Sequence, residues 1–418
     1  MNSIWLLIGK AFQMGVGFLF WIVAARAATV VDVGVAAASV SAVILCTQFG
    51  VLGSGNAVIL ALGRGEPRRQ TLDTAFTLVT MAAAVTAVGY LAVSWASGAE
   101  ALGDTHRGIF PVLFVAAAVF GTLTICLDQV SIALHHTEGA ASRYAIGGFL
   151  TLAVVLPAAS LVPLSSTALV ACWSVGSIAA ALAGFVQLHR WARYHYRPSL
   201  NVGRLRRMTR VGVSNQMLTL TERLPPALIP IVLAHFASPT ATAYWYPAWM
   251  MAWAAFTAPI MVGMVQFADL VREPERAREI VKSGVVWSLL LGGSLCLVLV
   301  GGADVFLSLL GEGYADASVT ALRILTLGLV PFVVIQAYNA QCRAISRTRE
   351  ATVLGFLVVL AVCVGTAVLA DRGTTAVAVL WVGCTAAAAL WAGYRLRVLI
   401  RRGPVPSSTE YSTEVTHG

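Results

Sequence analysis

Residues 189–210, HRWARYHYRPSLNVGRLRRMTR, place seven arginines between two long apolar stretches at 167–188 and 211–235. A helix of about 20 apolar residues crosses the roughly 30 Å hydrocarbon core of a bilayer. A dense block of arginine in a short gap between two such stretches marks the side of the membrane that stays cytoplasmic. Reading outward from this block, further apolar stretches fall at 4–25, 34–60, 73–96, 109–133 and 144–162, and at 241–267, 283–302, 317–341, 350–370 and 374–396. Six spans therefore precede the arginine block and six follow it. Strand-like alternation is absent and Ala, Leu, Val and Gly dominate, so each span reads as a helix rather than a barrel strand.

The expected fold is an all-α polytopic membrane protein of about 12 transmembrane helices. The expected organisation is an N-terminal six-helix lobe at 1–188, a basic cytoplasmic linker at 189–210, a C-terminal six-helix lobe at 211–402 and a polar, disordered tail at 403–418. Two six-helix halves joined by a linker is the layout of transporters built from repeats. The composition agrees. Hydrophobic residues make up 58% of the chain and charged residues 11%, whereas a soluble domain runs near a quarter charged. No cleaved signal peptide is expected, because residues 1–9 carry no side-chain cation and the first apolar run is followed by eleven more.

The net charge of +9 does not point to nucleic acid, because the cations sit in alternate gaps between spans. They occupy 64–69, 143, 190–210, 272–282, 343–349 and the C-terminal 395–402, while the opposite gaps hold only Arg26, Arg107 and Arg372. This asymmetry places both termini in the cytoplasm of what reads as a bacterial inner-membrane protein. Lys10, Arg223 and Arg323 remain inside spans. The seven cysteines form no CxxC pair and read as small buried hydrophobes. No phosphate-cradling glycine loop is present, so ATP hydrolysis is not encoded. His135-His136 is too short a motif for a metal centre, and no metal is expected.

Polar residues inside the spans carry the functional signal, because a charge at a helix centre costs about 2.5–3.5 kcal/mol on insertion scales. Asn215, Gln216, Thr219, Glu222 and Arg223 fall on one face of a helix, and Pro225, Pro226 and Pro230 are expected to break or kink it. A polar stripe ending at a kink can line a transport cavity; alternatively Glu222 and Arg223 pair with neighbouring helices. Lys10 and Gln13 share a face of the first span, where Lys10 either lines a cavity or snorkels to the surface. Asp128 is a cation or proton site, or a partner for Lys10 or Arg223. Arg323 lies near the outer end of its span, and Gln336, Asn339 and Arg343 follow at helical spacing. Trp245, Trp249 and Trp253 form a ladder that could stack on sugar rings or serve as packing.

Four segments carry a family resemblance: LLIGKAFQMGVGFLFWIVAARAATVVDVGVAAASVSAVILCTQFGVLGSG at 6–55, LDQVSIALHHTEGAASRYAI at 127–146, LPPALIPIVLAHFASPTATAYWYPAWMM at 224–251, and GEGYADASVTALRILTLGLVPFVVIQAYNAQCRAISRTR at 311–349. In order and spacing they resemble bacterial polysaccharide flippases of the multidrug/oligosaccharidyl-lipid/polysaccharide exporter superfamily. The resemblance implies two pseudo-symmetric six-helix lobes around a central cavity. It implies alternating access that moves polyprenyl-pyrophosphate-linked oligosaccharide from inner to outer leaflet, driven by an ion gradient. No cofactor is implied beyond a coupling cation, H+ or Na+. The partners expected are the lipid-linked oligosaccharide, membrane lipids, and glycan polymerase or glycosyltransferases of the same pathway.

On that reading Lys10, Gln13, Asn215, Gln216, Arg223, Arg323, Gln336, Asn339 and Trp249 bind substrate, and Asp128 and Glu222 couple to the ion. A multidrug or cation antiporter of the same superfamily is the alternative. The protein is not expected to be an enzyme such as a glycan polymerase or ligase, since the outer gaps are about a dozen residues or fewer.

Overall fold

The computed structural model describes residues 2–51, 53–97, 108–134, 136–199, 201–311 and 313–401, with the side chains of 2–8, 55–56, 202 and 204–215 outside the description. The predicted tail at 403–418, most of the 97–108 loop and His135 fall outside it. Fourteen α-helices follow in order among the described residues: α1 (Asn2–Ala27), α2 (Val30–Gly50), α3 (Ser54–Gly63), α4 (Arg68–Ala96), α5 (Phe110–Ala133), α6 (Thr137–Leu161), α7 (Ser166–Ala192), α8 (Val202–Phe236), α9 (Pro239–Arg272), α10 (Ala277–Ser308), α11 (Tyr314–Leu327), α12 (Leu329–Ala344), α13 (Thr348–Val368) and α14 (Gly373–Arg401).

Local chemistry starts several of these helices. The Thr29, Ser165 and Ser238 hydroxyls each accept an amide hydrogen bond at the N-terminus of α2, α7 and α9. Asp32 reaches further and accepts from the Ser166 amide at 3.0 Å, tying the start of α2 to that of α7.

Two of the twelve predicted spans are broken. The 34–60 span divides at Gly53, whose φ of 71° needs glycine, into α2 and α3. The 317–341 span bends by 42° at Gly328 into α11 and α12. Of the break or kink expected at Pro225, Pro226 and Pro230, the break does not occur, and α8 runs as one helix through all three. Membrane helices tolerate proline where their surroundings accommodate it, and the Thr242 hydroxyl of α9 donates to the Pro230 carbonyl at 3.2 Å, tying α9 to this part of α8. Among the described residues, ten helices are long and apolar enough to span a membrane, or eleven with the bent pair taken as one.

Helices α1–α7 pack on one another, as do α8–α14, and α1–α4 meet α8 and α9 across the middle. The two bundles approach closely where Gly34 on α2 faces the start of α9: a Cβ there would lie 1.7 Å from the Pro239 carbonyl oxygen. At the same end the Trp21 and Tyr246 rings meet edge-on at 4.8 Å, and Arg26 Nε donates to the Leu309 carbonyl at 2.8 Å. Toward the N-terminal end of α1, Lys10, Phe12 and Gln13 are exposed and the Lys10 charge lies within reach of Arg223 on the other bundle; the space between these two residues is the cleft.

One sequence assignment changes. Arg143, counted with the loop cations, lies within α6 and is fully buried. A buried guanidinium needs a partner, and Asp128 supplies it.

Candidate functional site: a cleft between the bundles

Asp128 sits near the end of α5, and a short turn brings Arg143 and Tyr144 of α6 against it. Arg143 Nη2 donates to one carboxylate oxygen at 2.7 Å, and the Tyr144 hydroxyl donates to the other. Arg143 also donates to Ser131 Oγ at 3.0 Å and to Gln187 Oε1 of α7 at 2.7 Å. Gln187 in turn donates to Ser142 Oγ at 2.8 Å. Both oxygens of Asp128 are thus occupied, and the network ties α5, α6 and α7 together. The other bundle has a counterpart. Glu350 of α13 accepts from Arg395 of α14 at 2.6 and 2.9 Å and from the Tyr338 hydroxyl of α12 at 2.9 Å.

Lys10 reaches the cleft because α1 lies tightly on α6: a Cβ on Gly9 would meet Ala141 Cα at 2.8 Å. The ammonium rests 4.5 Å from the centroid of the Tyr144 ring, a cation–π contact, and donates to Gln13 Oε1 at 3.4 Å. Arg223 of α8 projects from the second bundle. Its charge lies within electrostatic reach of Lys10 and Tyr144, and of Glu222 beside it. No described residue accepts a hydrogen bond from Arg223 or forms an ion pair with it. The cleft is therefore walled by two cations from opposite bundles, neither in ion-pair contact with a described carboxylate, with the Asp128 charge also within reach of Lys10.

Glu222 faces the other way, into a pocket of the second bundle lined by Thr221, Pro225, Trp253, Phe332, Gln336, Asn339 and Trp381. One carboxylate oxygen accepts from Asn339 Nδ2 at 2.9 Å and from Arg343 Nη2 at 3.3 Å. Gln336 is buried and its Nε2 has no partner among the described residues. Glu222 and, more than a hundred residues later in the chain, Gln336 and Asn339 converge here.

Other predicted site residues lie elsewhere. Gln216 holds α8 to α2 by donating to the Gln48 carbonyl at 3.4 Å. The Asn215 side chain is outside the described residues. Arg323 is on the surface, paired with Asp304 at 2.7 Å, with about half of its side chain exposed. Trp249 lies in the core of the second bundle, stacked on Trp245 and Trp253 and met edge-on by Trp381. No ring face of Trp249 is open, and it is Trp253 that reaches the pocket wall.

Sequence reasoning missed Arg143 as an intramembrane partner, Tyr144 in the clamp and cleft wall, and buried Asp73. Asp73 of α4 accepts from the Tyr194 hydroxyl at 2.6 Å and the Arg197 amide at 3.1 Å. The signal for Arg143 was present: Asp128 and Arg143 lie at corresponding depths on either side of a tight turn, with Tyr144 adjacent.

No protein-family model matches the chain, and no curated protein matches it by sequence. Solved structures do match by fold. A lipid II flippase MurJ in an inward closed conformation superposes with a TM-score of 0.73 at 11% identity, over 94% of this chain and 87% of that one. An inward-facing multidrug resistance MATE family transporter of the MOP superfamily gives 0.68 at 12% identity, over 95% and 98%. An outward-facing MATE family transporter gives 0.67 at 15% identity, over 96% of each. The helices and their order are thus similar in fold to these three structures over nearly the whole chain.

Proposed function

We propose that this chain is a transporter that moves an anionic, lipid-linked substrate across a bacterial inner membrane by alternating access between its two bundles. The substrate class favoured is a polyprenyl-pyrophosphate-linked oligosaccharide, moved from inner to outer leaflet for polysaccharide export. The lobes would be 1–188 and 211–402, joined by the basic linker 189–210, with both termini cytoplasmic. The observation that carries this reading is the charge of the cleft. Lys10 and Arg223 face it without an ion pair to any described residue, although Asp128 and Glu222 lie within electrostatic reach of them; Asp128 is held by Arg143 and Tyr144, and Glu222 by Asn339 and Arg343. An unpaired cation pair in a low-dielectric cleft favours a pyrophosphate and disfavours an organic cation.

Gln13, beside Lys10, is the polar group placed to meet sugars. Glu222, with Gln336 and Asn339 around it, is the candidate for coupling to H+ or Na+. Arg323 and Trp249 have no place in this site.

The alternative is a multidrug or cation antiporter, supported by the MATE-like fold. Proteoliposomes separate the two. The wild-type protein is expected to move a polyprenyl-pyrophosphate oligosaccharide between leaflets, and Lys10→Gln/Arg223→Gln to lose that movement while keeping its thermal unfolding temperature. Ethidium efflux with no leaflet transfer would assign the antiporter instead.

A further inference from the structure

On the side of α13 away from the cleft, a groove opens between α13 and α14. Helix α13 is pressed against α8 at Gly355, where a Cβ would meet the Thr221 hydroxyl oxygen at 2.3 Å, so its opposite face is free. Val353, Leu357 and Ala361 from α13 and Ala387 and Trp391 from α14 form the apolar walls. Val353 and Leu357 are more than half exposed. From Arg349 to Ala361 the helix rises about 18 Å, close to the depth of one hydrocarbon leaflet.

The mouth is charged. Arg347 and Arg349 both line it, both are exposed, and neither forms an ion pair with a described residue. Glu350 is the one carboxylate at the mouth among the described residues, and it is already held by Arg395 and Tyr338. Two unneutralised guanidiniums at the end of an apolar groove one leaflet deep complement an amphiphile with an anionic head.

We infer that this groove is a binding site for an anionic bilayer phospholipid. Its phosphodiester sits between Arg347 and Arg349, and one acyl chain lies between α13 and α14. Arginine suits the head because its planar donors grip phosphate oxygens in pairs. The groove shares Leu354, Val358 and Ala388 with the pocket around Glu222. The acyl chain therefore forms part of that pocket's lateral wall and closes it to the bilayer. This site is separate from the Lys10–Arg223 cleft and does not depend on what that cleft carries.

The test uses the purified full-length chain and defined lipids, with native mass spectrometry and thermal unfolding as readouts. Phosphatidylglycerol should be retained over phosphatidylcholine and should raise the unfolding temperature. Arg347→Gln/Arg349→Gln should weaken phosphatidylglycerol binding about tenfold or more and abolish the thermal shift. Leu357→Trp, which fills the groove and leaves both arginines in place, should do the same. Equal retention of the two lipids, or a phosphatidylglycerol preference that survives both variants, overturns the assignment. Displacement of phosphatidylglycerol by polyprenyl phosphate at equal concentration also overturns it and makes the groove a substrate-chain site.

Discussion

Arg26 Nε donates to the main-chain oxygen of Leu309 at 2.8 Å, with Nη2 3.4 Å from the oxygen of Ser308. The contact joins the last turn of α1 to the end of α10, in opposite bundles. A charged donor satisfies carbonyls that a helix terminus otherwise leaves unpaired. The side chain is exposed, so the contribution is about 1 kcal/mol, or roughly fivefold in an opening equilibrium. Arg26→Ala should therefore speed hydrogen exchange across residues 303–311 about fivefold and leave the cores of α5 and α12 unchanged. Unaltered exchange there would mean that the ring contact of Trp21 with Tyr246 holds this end without help.

Asp128 and Arg143 should be costly to separate. Asp128→Ala leaves a buried guanidinium without its counter-charge, a change that typically costs about 3–5 kcal/mol. The unfolding temperature should fall sharply, and Asp128→Ala/Arg143→Met should recover part of the loss. A double variant no more stable than the single would show that Arg143 is sufficiently held by Ser131 and Gln187 alone.

Gly34 and Gly15 make a matched pair. A methyl at Gly34 collides with the Pro239 backbone, whereas one at Gly15 meets nothing within 4 Å. Gly34→Ala should force the bundles apart at the α2–α9 contact and lower both stability and transport. Gly15→Ala should be silent or slightly stabilising, since alanine is the better helix former by about 1 kcal/mol.

Trp249 and Trp253 should part company in the same way. Trp249→Ala removes a buried ring from the core and should cost about 3–5 kcal/mol in unfolding experiments. Trp253 is only partly buried and lines the Glu222 pocket. Trp253→Ala should cost less stability and lower transport more than its stability loss explains.

Much of this fold was legible in the sequence because membrane helices announce themselves by length and hydropathy. Each of the twelve apolar stretches is covered by one helix or by a pair. The breaks at Gly53 and Gly328 were not read, since neither glycine interrupts the apolar pattern. The prolines of α8 do not end the helix: proline removes a donor, but whether a membrane helix continues through it depends on its surroundings, and that is a tertiary fact.

The site divides along the same line. Helical spacing put Glu222 and Arg223 on one stripe, but their neighbouring positions turn them toward different spaces. Glu222 meets Asn339 and Arg343, and Arg223 is left in the cleft. Trp249 looked like a ring for stacking because the i, i+4, i+8 ladder carries no information about which side is core. Arg143 was hidden by its position near a turn, where an arginine in a membrane protein ordinarily marks topology.

The basic segment after α7 begins as a strap. Asp73 holds Tyr194 and Arg197, and Thr77 Oγ1 accepts from the Ser199 amide at 3.1 Å. Helix α8 starts at Val202. Three Cα–Cα steps separate Ser199 from that residue, a leash of at most about 11 Å at full stretch. While the strap holds, the N-terminus of α8 cannot swing further than that from the base of α4. Any large relative motion of the bundles must then turn about this corner as a hinge, with the long excursions at the far ends of α1 and α10.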